Sequence, residues 1–190
     1  MDQLKRMSFV LFTAFVFSLT LASSSYAALP SDSPVFVKEY LGQVGFVEGR
    51  LLQLEGAMAQ DQMTWTPMEG VRTVAEVYLH IAESNYLLVN FLKGEKMEGE
   101  SNALEKTTTN KDEIAKILSE SFTAVKEAAG KVTQEQLDKV VQTPFGMKTS
   151  VRDFMVMMLG HTHEHLGQGI AYARMNGVVP PWSRKESEGK

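Results

Sequence analysis

The feature that most constrains this chain is a set of four long segments whose apolar residues recur with the period of an α-helix. We predict helices over about Val35–Met58, from Thr73 to about Leu92, from Asn110 to Gly130, and from just after Ser150 to Asn176. Little of the remaining sequence is typical of strands. Helices of roughly 20 to 26 residues with connections of mixed length are typical of a bundle. The sequence therefore predicts an all-α fold, a four-helix bundle without internal repeats.

The ends of these segments carry the residues that helix ends prefer. In three places a capping residue is followed, three positions later, by an acidic residue in capping-box position: Thr73 and Glu76, Asn110 and Glu113, and Ser150 and Asp153. Glycine often ends a helix because it takes the left-handed conformation without strain. Glycines stand after three of the helices, at Gly94, Gly130 and Gly177.

Three glycines interrupt the pattern of the first helix, at Gly42, Gly45 and Gly49. Glycine in a helix interior costs about 1 kcal/mol relative to alanine. Two explanations stay open. The glycines allow another helix to pack closely, or the helix is irregular there.

The connection between the second and third helices is a polar stretch, "KGEKMEGESNALEKTTT", from Lys93 to Thr109. Antiparallel neighbours in a bundle are usually joined by about 2 to 8 residues. These 17 residues are long enough for a crossover, and they predict that the second and third helices run parallel.

The N-terminal segment has the composition of a secretory signal peptide. Lys5 and Arg6 precede the apolar run Met7–Ala22, and small residues follow up to Ala27. We predict cleavage after Ala27, a single mature domain over residues 28–190, and a periplasmic or secreted location. The alternative is an uncleaved anchor, but the apolar run is short for a membrane span of about 20 residues. After cleavage we expect no stable membrane span.

Composition excludes several kinds of site. The chain has no cysteine, which excludes disulfides, thiolate nucleophiles and thiolate metal ligands. Removal of the signal leaves 17 basic and 22 acidic residues, a net charge of −5. Nucleic-acid binding needs clustered Lys and Arg to contact phosphates. We therefore expect no nucleic-acid partner.

Two of the three histidines in the fourth helix are expected to point into the bundle. The inward face of this helix is predicted from residues spaced alternately four and three apart: Phe154, Met158, His161, His165, Gln168 and Tyr172. His161 and His165 therefore share one face, separated by a rise of about 6 Å. His163 lies on nearly the opposite side, and we expect it to point outward.

The fourth histidine of the chain, His80, is predicted to face the same interior from the second helix. Its inward face follows the same spacing: Thr73, Val77, His80, Ser84, Leu87 and Phe91. Bundles build metal sites from side chains on facing helices in this way. Three imidazoles from His80, His161 and His165 would leave a fourth metal position open for water or substrate. The alternative is a set of hydrogen-bonded core histidines.

Two further patterns near these histidines suggest other kinds of metal site, and we favour neither. "HTHEH" matches the H-x-x-E-H motif of one zinc-peptidase class, with Glu164 as the base. Only 25 residues follow His165, too few for the helix that should carry a third ligand. Met155, Met157 and Met158 would suit copper, but methionines in a helix seam more often fill the core.

Three stretches resemble the DinB superfamily: Trp65–Pro67 ("WTP"), Val71–Asn85 ("VRTVAEVYLHIAESN") and His161–Ser183 ("HTHEHLGQGIAYARMNGVVPPWS"). The resemblance covers essentially the whole mature chain. The motifs of the family are a histidine in the second helix and H-x-x-x-H-R-G-Q in the last. The resemblance implies a four-helix bundle of up-down-down-up topology.

The same resemblance implies a divalent metal ion, most often zinc or nickel, held by three histidines that map onto His80, His161 and His165. The chain departs from the family pattern at Leu166, where the family has arginine. Whatever contact that arginine makes with an anionic substrate or with the ligands, Leu166 does not provide it. Gln168 is kept. It either orients a ligand or a metal-bound water, or it is a core amide bonded to the backbone.

The resemblance also implies a homodimer and two kinds of enzyme, a metal-dependent hydrolase or a thiol-dependent transferase acting on an unknown small molecule. The thiols of such transferases are cytosolic, so predicted export weakens the transferase. Glu83 and Glu164 are the carboxylates nearest in sequence, and we expect both to be solvated. The alternative is a non-catalytic metal-binding or structural bundle.

Overall fold

The computed structural model describes residue 29 and residues 31–95, 102–143 and 145–184. The predicted signal peptide, its cleavage site and the end of the C-terminal tail lie outside the described residues. Of the helices within them, none is long and apolar enough to cross a membrane. The helices and strands, in chain order, are α1 (Val35–Ala57), α2 (Val74–Lys93), α3 (Lys111–Ala129), α4 (Gln134–Asp138), β1 (Val140–Gln142), β2 (Lys148–Ser150) and α5 (Val151–Met175).

The four long helices α1, α2, α3 and α5 confirm the predicted bundle. The described residues also form three 3₁₀ turns, at Gln60–Thr64, Leu104–Lys106 and Pro181–Ser183. The second of these turns lies within the predicted crossover. It is the part of that connection that bears on the site.

Local sequence sets where the helices begin and end. Thr73 Oγ1 accepts from the backbone N–H of Glu76 at 3.3 Å, and the Glu76 carboxylate accepts from the backbone N–H of Thr73 at 2.8 Å. Gly94 ends α2 in the left-handed conformation, with φ of 71°. The predicted capping box and helix stop are therefore both confirmed for α2.

The start of α3 differs from the prediction in one respect. Asn110 Oδ1 caps the backbone N–H of Glu113 at 3.1 Å, as expected. The Glu113 carboxylate, however, accepts from Thr108 Oγ1 at 2.6 Å. The backbone N–H of Asn110 donates to Thr108 Oγ1 at 3.0 Å. In a full capping box the Glu113 carboxylate would accept from the backbone N–H of Asn110. Here the hydroxyl of Thr108 lies between the two groups and bonds to both.

Neither explanation for the glycines of α1 holds. The helix is continuous from Val35 to Ala57, so it is not interrupted. Among the described residues, a Cβ added at Gly42, Gly45 or Gly49 would meet no atom within 4 Å, so no described element packs closely there. Nothing in the structure explains these glycines.

The second and third helices run parallel, as the long crossover predicts. Lys111, at the start of α3, donates to the carbonyls of Gly56 and Met58 at the end of α1, at 2.9 and 2.6 Å. Asn85 and Ser121, each near the middle of its helix, are hydrogen-bonded at 3.0 Å. The chain therefore returns to the starting end of α2 before α3 begins.

The last helix, α5, runs antiparallel to α2. Phe154 near the start of α5 packs against Phe91 near the end of α2, with ring centroids 4.3 Å apart. At the other end of α5, the Asn176 carbonyl accepts from Gln62, which follows α1. The order is thus up, down, down, up, and this confirms the predicted topology.

The central helix of the bundle is α2. Thirteen of its 20 residues are buried, compared with 6 of 19 in α3. Burial on so many sides leaves its polar residues His80, Ser84 and Asn85 inside the protein. A buried polar group is costly unless it is hydrogen-bonded, so these three side chains require partners from neighbouring elements.

A short hairpin between α4 and α5 was not predicted. Strands β1 and β2 pair antiparallel, with Val140 opposite Ser150 and Gln142 opposite Lys148. Each strand has only three residues. An alternation of polar and apolar residues is not visible over so short a length.

Replacing Phe154 by alanine should lower the free energy of unfolding by about 3–5 kcal/mol, because its fully buried ring fills the contact between α2 and α5. Val156 on the same helix is 50% exposed, and Val156→Ala should change the same quantity by about 0.5 kcal/mol or less. Urea unfolding followed by circular dichroism measures both. Equal effects at the two positions would contradict the assigned packing.

Candidate metal centre

Three imidazole rings meet between α2 and α5. The ring centroids of His80 and His161 are 5.1 Å apart, those of His80 and His165 4.6 Å, and those of His161 and His165 4.4 Å, all in edge-to-face contact. One ring nitrogen of each residue lies within 4.8 Å of the other two. His80 and His165 are buried, and His161 is half-buried. The structure thus brings together the three histidines selected from the sequence.

The ring of His80 is fixed on both sides. Its Nδ1 lies 2.8 Å from Oε1 of Glu105, in the 3₁₀ turn of the crossover. Its Nε2 lies 3.1 Å from Nε2 of His161. Because a carboxylate only accepts hydrogen bonds, Nδ1 of His80 carries a proton and donates it. In the neutral ring, the lone pair of Nε2 therefore faces His161.

A chain of side chains along α5 orients His165. Its Nδ1 donates to Oε1 of Gln168 at 2.8 Å, and Nε2 of Gln168 donates to the hydroxyl of Tyr172 at 3.0 Å. The Tyr172 ring packs edge-on against Trp65, with centroids 5.3 Å apart. These residues share a helix face because they are three and four positions apart. The hydrogen bonds of Gln168 to His165 and Tyr172 agree with the alternative in which Gln168 orients a candidate ligand.

The environment of His161 and His165 favours neutral rings. Burial, followed by the nearby His165, His80 and Arg72, lowers the pKa of His161 from 6.5 to about 4. Burial is also the main cause that lowers the pKa of His165. At neutral pH both rings are uncharged, which is the form that binds metal ions. The hydroxyl of Ser84 lies 3.2 Å from Nε2 of His161 and adds a polar group beside the rings.

The other titratable candidates from the sequence, His163, Glu83 and Glu164, do not belong to the group of three rings. His163 bonds through Nδ1 to the backbone carbonyl four residues earlier, at 2.9 Å, and is not part of the cluster. Glu164 is exposed, as expected. Glu83 is half-buried and is therefore less solvated than expected. Met155 and Met158 are buried in the hydrophobic core. This placement agrees with the interpretation that they fill space.

Sequence reasoning missed Glu105, the carboxylate that contacts His80. It is separated from His80 by 25 residues and lies in a polar stretch without helical periodicity. Its carboxylate also accepts two hydrogen bonds from Arg72, at 2.9 and 3.0 Å. The local signal that could have indicated it is Leu104, an apolar residue in this polar stretch that packs against the core.

A comparison with known protein families matches the part of the chain that contains the clustered histidines. The family model of the DinB superfamily matches residues 43–168, which include all three clustered histidines. The chain belongs to the DinB superfamily. At the position of the usual arginine of the DinB motif, Leu166 is buried, so it extends the core beside His165. None of the curated proteins matches the chain.

Solved structures share the DinB fold of this chain at low sequence identity. A DinB-like protein from Bacillus cereus ATCC 10987 is 21% identical, with a TM-score of 0.64 over 76% of this chain and 95% of that one. YfiT from Bacillus subtilis, described as a probable metal-dependent hydrolase with an unusual four-helix bundle topology, is 15% identical, with a TM-score of 0.62 over 75% and 89%. A mycothiol-dependent maleylpyruvate isomerase is 15% identical, with a TM-score of 0.59 over 69% and 59%.

The lowered pKa of His161 predicts how the stability of the metal-free protein changes with pH. Between pH 6.5 and about pH 4, His161 of the unfolded chain takes up a proton that the folded chain does not. The free energy of unfolding should therefore fall as the pH falls through this range. Below it His161 is protonated in both states, so its contribution to the free energy of unfolding no longer changes with pH.

Urea unfolding of the wild type and of His161→Gln at a series of pH values isolates this contribution. The variant should lose stability less steeply over the same pH range, because its side chain does not titrate. Identical pH profiles for the two proteins would show that the pKa of His161 is not lowered in the folded state.

Proposed function

We propose that this DinB protein binds one divalent metal ion through His80, His161 and His165 and uses it to hydrolyse a small-molecule substrate. The observation that carries the proposal is the convergence of three imidazoles whose ring nitrogens lie within 4.8 Å of one another. Two of the rings, His80 and His165, already have their Nδ1 atoms engaged by Glu105 and Gln168. Their Nε2 atoms therefore remain for a ligand between the helices.

The distances between the rings suit a shared ion. Nitrogens bound to one tetrahedral ion at about 2.0–2.1 Å lie about 3.3 Å apart. The Nε2 atoms of His80 and His161 are 3.1 Å apart, and a ring nitrogen of His165 lies within 4.8 Å of a ring nitrogen of each. Outer hydrogen bonds that set the ring orientation are usual for metal-binding histidines. A core of merely hydrogen-bonded histidines would not require ring nitrogens from three residues to face one another.

The chemistry follows from the number of ligands. A divalent ion with three imidazole ligands keeps a position for water or substrate and lowers the pKa of what binds there. His161 is the least buried of the three rings, so solvent would reach the site from the side of His161. Ser84 places a hydroxyl next to His161, where it can hold a polar atom of the substrate. Glu105 is engaged by His80 and Arg72 and is not placed as a general base.

Hydrolysis is favoured over thiol-dependent transfer for two reasons. The fold of the chain spans 89% of YfiT, the probable metal-dependent hydrolase, but only 59% of the mycothiol-dependent isomerase. The predicted export of the chain would also separate it from cytosolic thiols. The zinc or nickel ion and the homodimer implied by the resemblance belong to the same proposal.

Elemental analysis of the purified protein tests the metal site. We expect close to one zinc or nickel ion per wild-type chain, and a large loss in each of His80→Ala, His161→Ala and His165→Ala. The matched control is His163→Ala, in the same helix but outside the cluster, and it should keep the ion. Equal losses at His163 and His165, or full metal content in the three cluster variants, would refute the assignment.

Turnover assays then separate the possible functions. We expect the reconstituted protein to hydrolyse members of a panel of esters and amides, with the activity lost on chelation and in His165→Ala. Turnover that requires an added low-molecular-weight thiol would instead support a transferase. No turnover at full metal occupancy would support the non-catalytic alternative.

We also propose that residues 1–27 are a cleaved signal and that the mature protein is periplasmic or secreted. Support comes from the basic, apolar and small-residue order of this segment. Mass spectrometry of the protein recovered from the periplasm or medium should give an N-terminal Ala28. Recovery of the full-length chain in the membrane fraction would instead show an uncleaved anchor.

A further inference from the structure

The 3₁₀ turn Leu104–Lys106 brings a charged side chain from the crossover into the bundle. The side chains of Glu105 and His80 are each 5% exposed, and their Oε1 and Nδ1 atoms are 2.8 Å apart. A buried carboxylate is costly unless charged or polar partners surround it. Its position therefore indicates a specific requirement for a negative charge beside His80.

Arg72 fixes the position of this carboxylate. Its Nε donates to Oε2 of Glu105 at 2.9 Å, and its Nη2 donates to Oε1 at 3.0 Å. A two-point contact of this kind sets the plane of a carboxylate as well as its distance. Because Oε1 is also the atom that accepts from His80, Arg72 indirectly sets the orientation of the His80 ring.

A second ion pair holds the same turn to α2 without contacting the histidines. Lys106 pairs with Glu76, the residue that completes the capping box of α2. Two neighbouring side chains of the turn thus have different roles. Glu105 reaches the cluster, whereas Lys106 only fastens the crossover to the surface of α2. The difference provides a matched control for any experiment on Glu105.

The three rings are supported unequally. The outer partner of His165 is the neutral amide of Gln168, and His161 contacts the neutral hydroxyl of Ser84. Glu105 is the charged partner of His80. A carboxylate makes an imidazole more basic and a better metal ligand than an amide does. It also offsets the positive charge of Arg72, which otherwise disfavours a cation beside the rings.

We propose that Glu105 is the positioning residue of the metal centre, holding His80 with its Nε2 directed at the ion and neutralising Arg72 beside it. The inference rests on the proposed function, because it assigns a role toward the ion that His80, His161 and His165 would bind. It adds that the crossover, and not only the helices, forms part of the site. Loss of this one carboxylate should weaken metal binding although every ligand remains.

Zinc affinity measured by competition with a chelator tests the proposal. Glu105→Ala should weaken zinc binding by about 10- to 100-fold, as loss of outer partners of metal ligands typically does. Glu105→Gln keeps an acceptor oxygen but not the charge, so it should give a smaller loss. Lys106→Ala should stay within about 2-fold of the wild type, because it loosens the same turn without touching His80.

Cobalt substitution separates positioning from general loosening of the fold. The visible absorption bands of bound Co²⁺ depend on ligand geometry, so they should shift in Glu105→Ala and stay unchanged in Lys106→Ala. The proposal is overturned if Glu105→Ala and Glu105→Gln both keep the wild-type affinity and spectrum. It is also overturned if Lys106→Ala loses as much affinity as Glu105→Ala.

A measurement on the metal-free protein keeps this inference distinct from the proposed function. Nitrogen-15 NMR of the histidine rings should show His80 protonated at Nδ1 in the wild type and in Lys106→Ala. The Glu105→Ala variant should lose this preference. A wild type that binds no zinc would refute the proposed function, while an unchanged His80 tautomer in Glu105→Ala would refute the role of Glu105.

Discussion

The structure of the site depends on enclosing three imidazole rings, two buried and one half-buried, between two antiparallel helices. A ring nitrogen removed from water must find a partner, and each ring finds one from a different element. The partner of His80 is Glu105 of the crossover, and the partner of His165 is Gln168, one turn further along the same helix. His161 lies against both rings and the hydroxyl of Ser84. The up-down-down-up topology makes this possible, since the long connection returns the chain to the starting end of α2.

Much of the fold could be predicted because it rests on local rules. Apolar periodicity located the helices, and short-range capping at Thr73 set a boundary within one residue. The parallel arrangement of α2 and α3 followed from the length of one connection. The hairpin was missed because its strands are only three residues long. In the part of the chain that the structure describes, nothing packs closely against the interior glycines of α1, so their positions could not be linked to a contact.

The ligand candidates were predictable for the same reason, and their surroundings were not. His80, His161 and His165 lie on helix faces that a regular repeat defines. Glu105 lies in an irregular stretch, and its burial depends on where that stretch crosses α2. Such a contact between distant residues leaves no periodic signal in one sequence. Gln168 was an intermediate case, because its place on the inward face was predictable but its partner was not.

The central claim, that the three rings hold one ion, is tested most directly by an anomalous scattering map from crystals grown with zinc. The account predicts a single strong peak between α2 and α5, about 2.0–2.1 Å from a nitrogen of each of His80, His161 and His165. A peak bound to His163 instead, or no peak between these helices at saturating zinc, would contradict it.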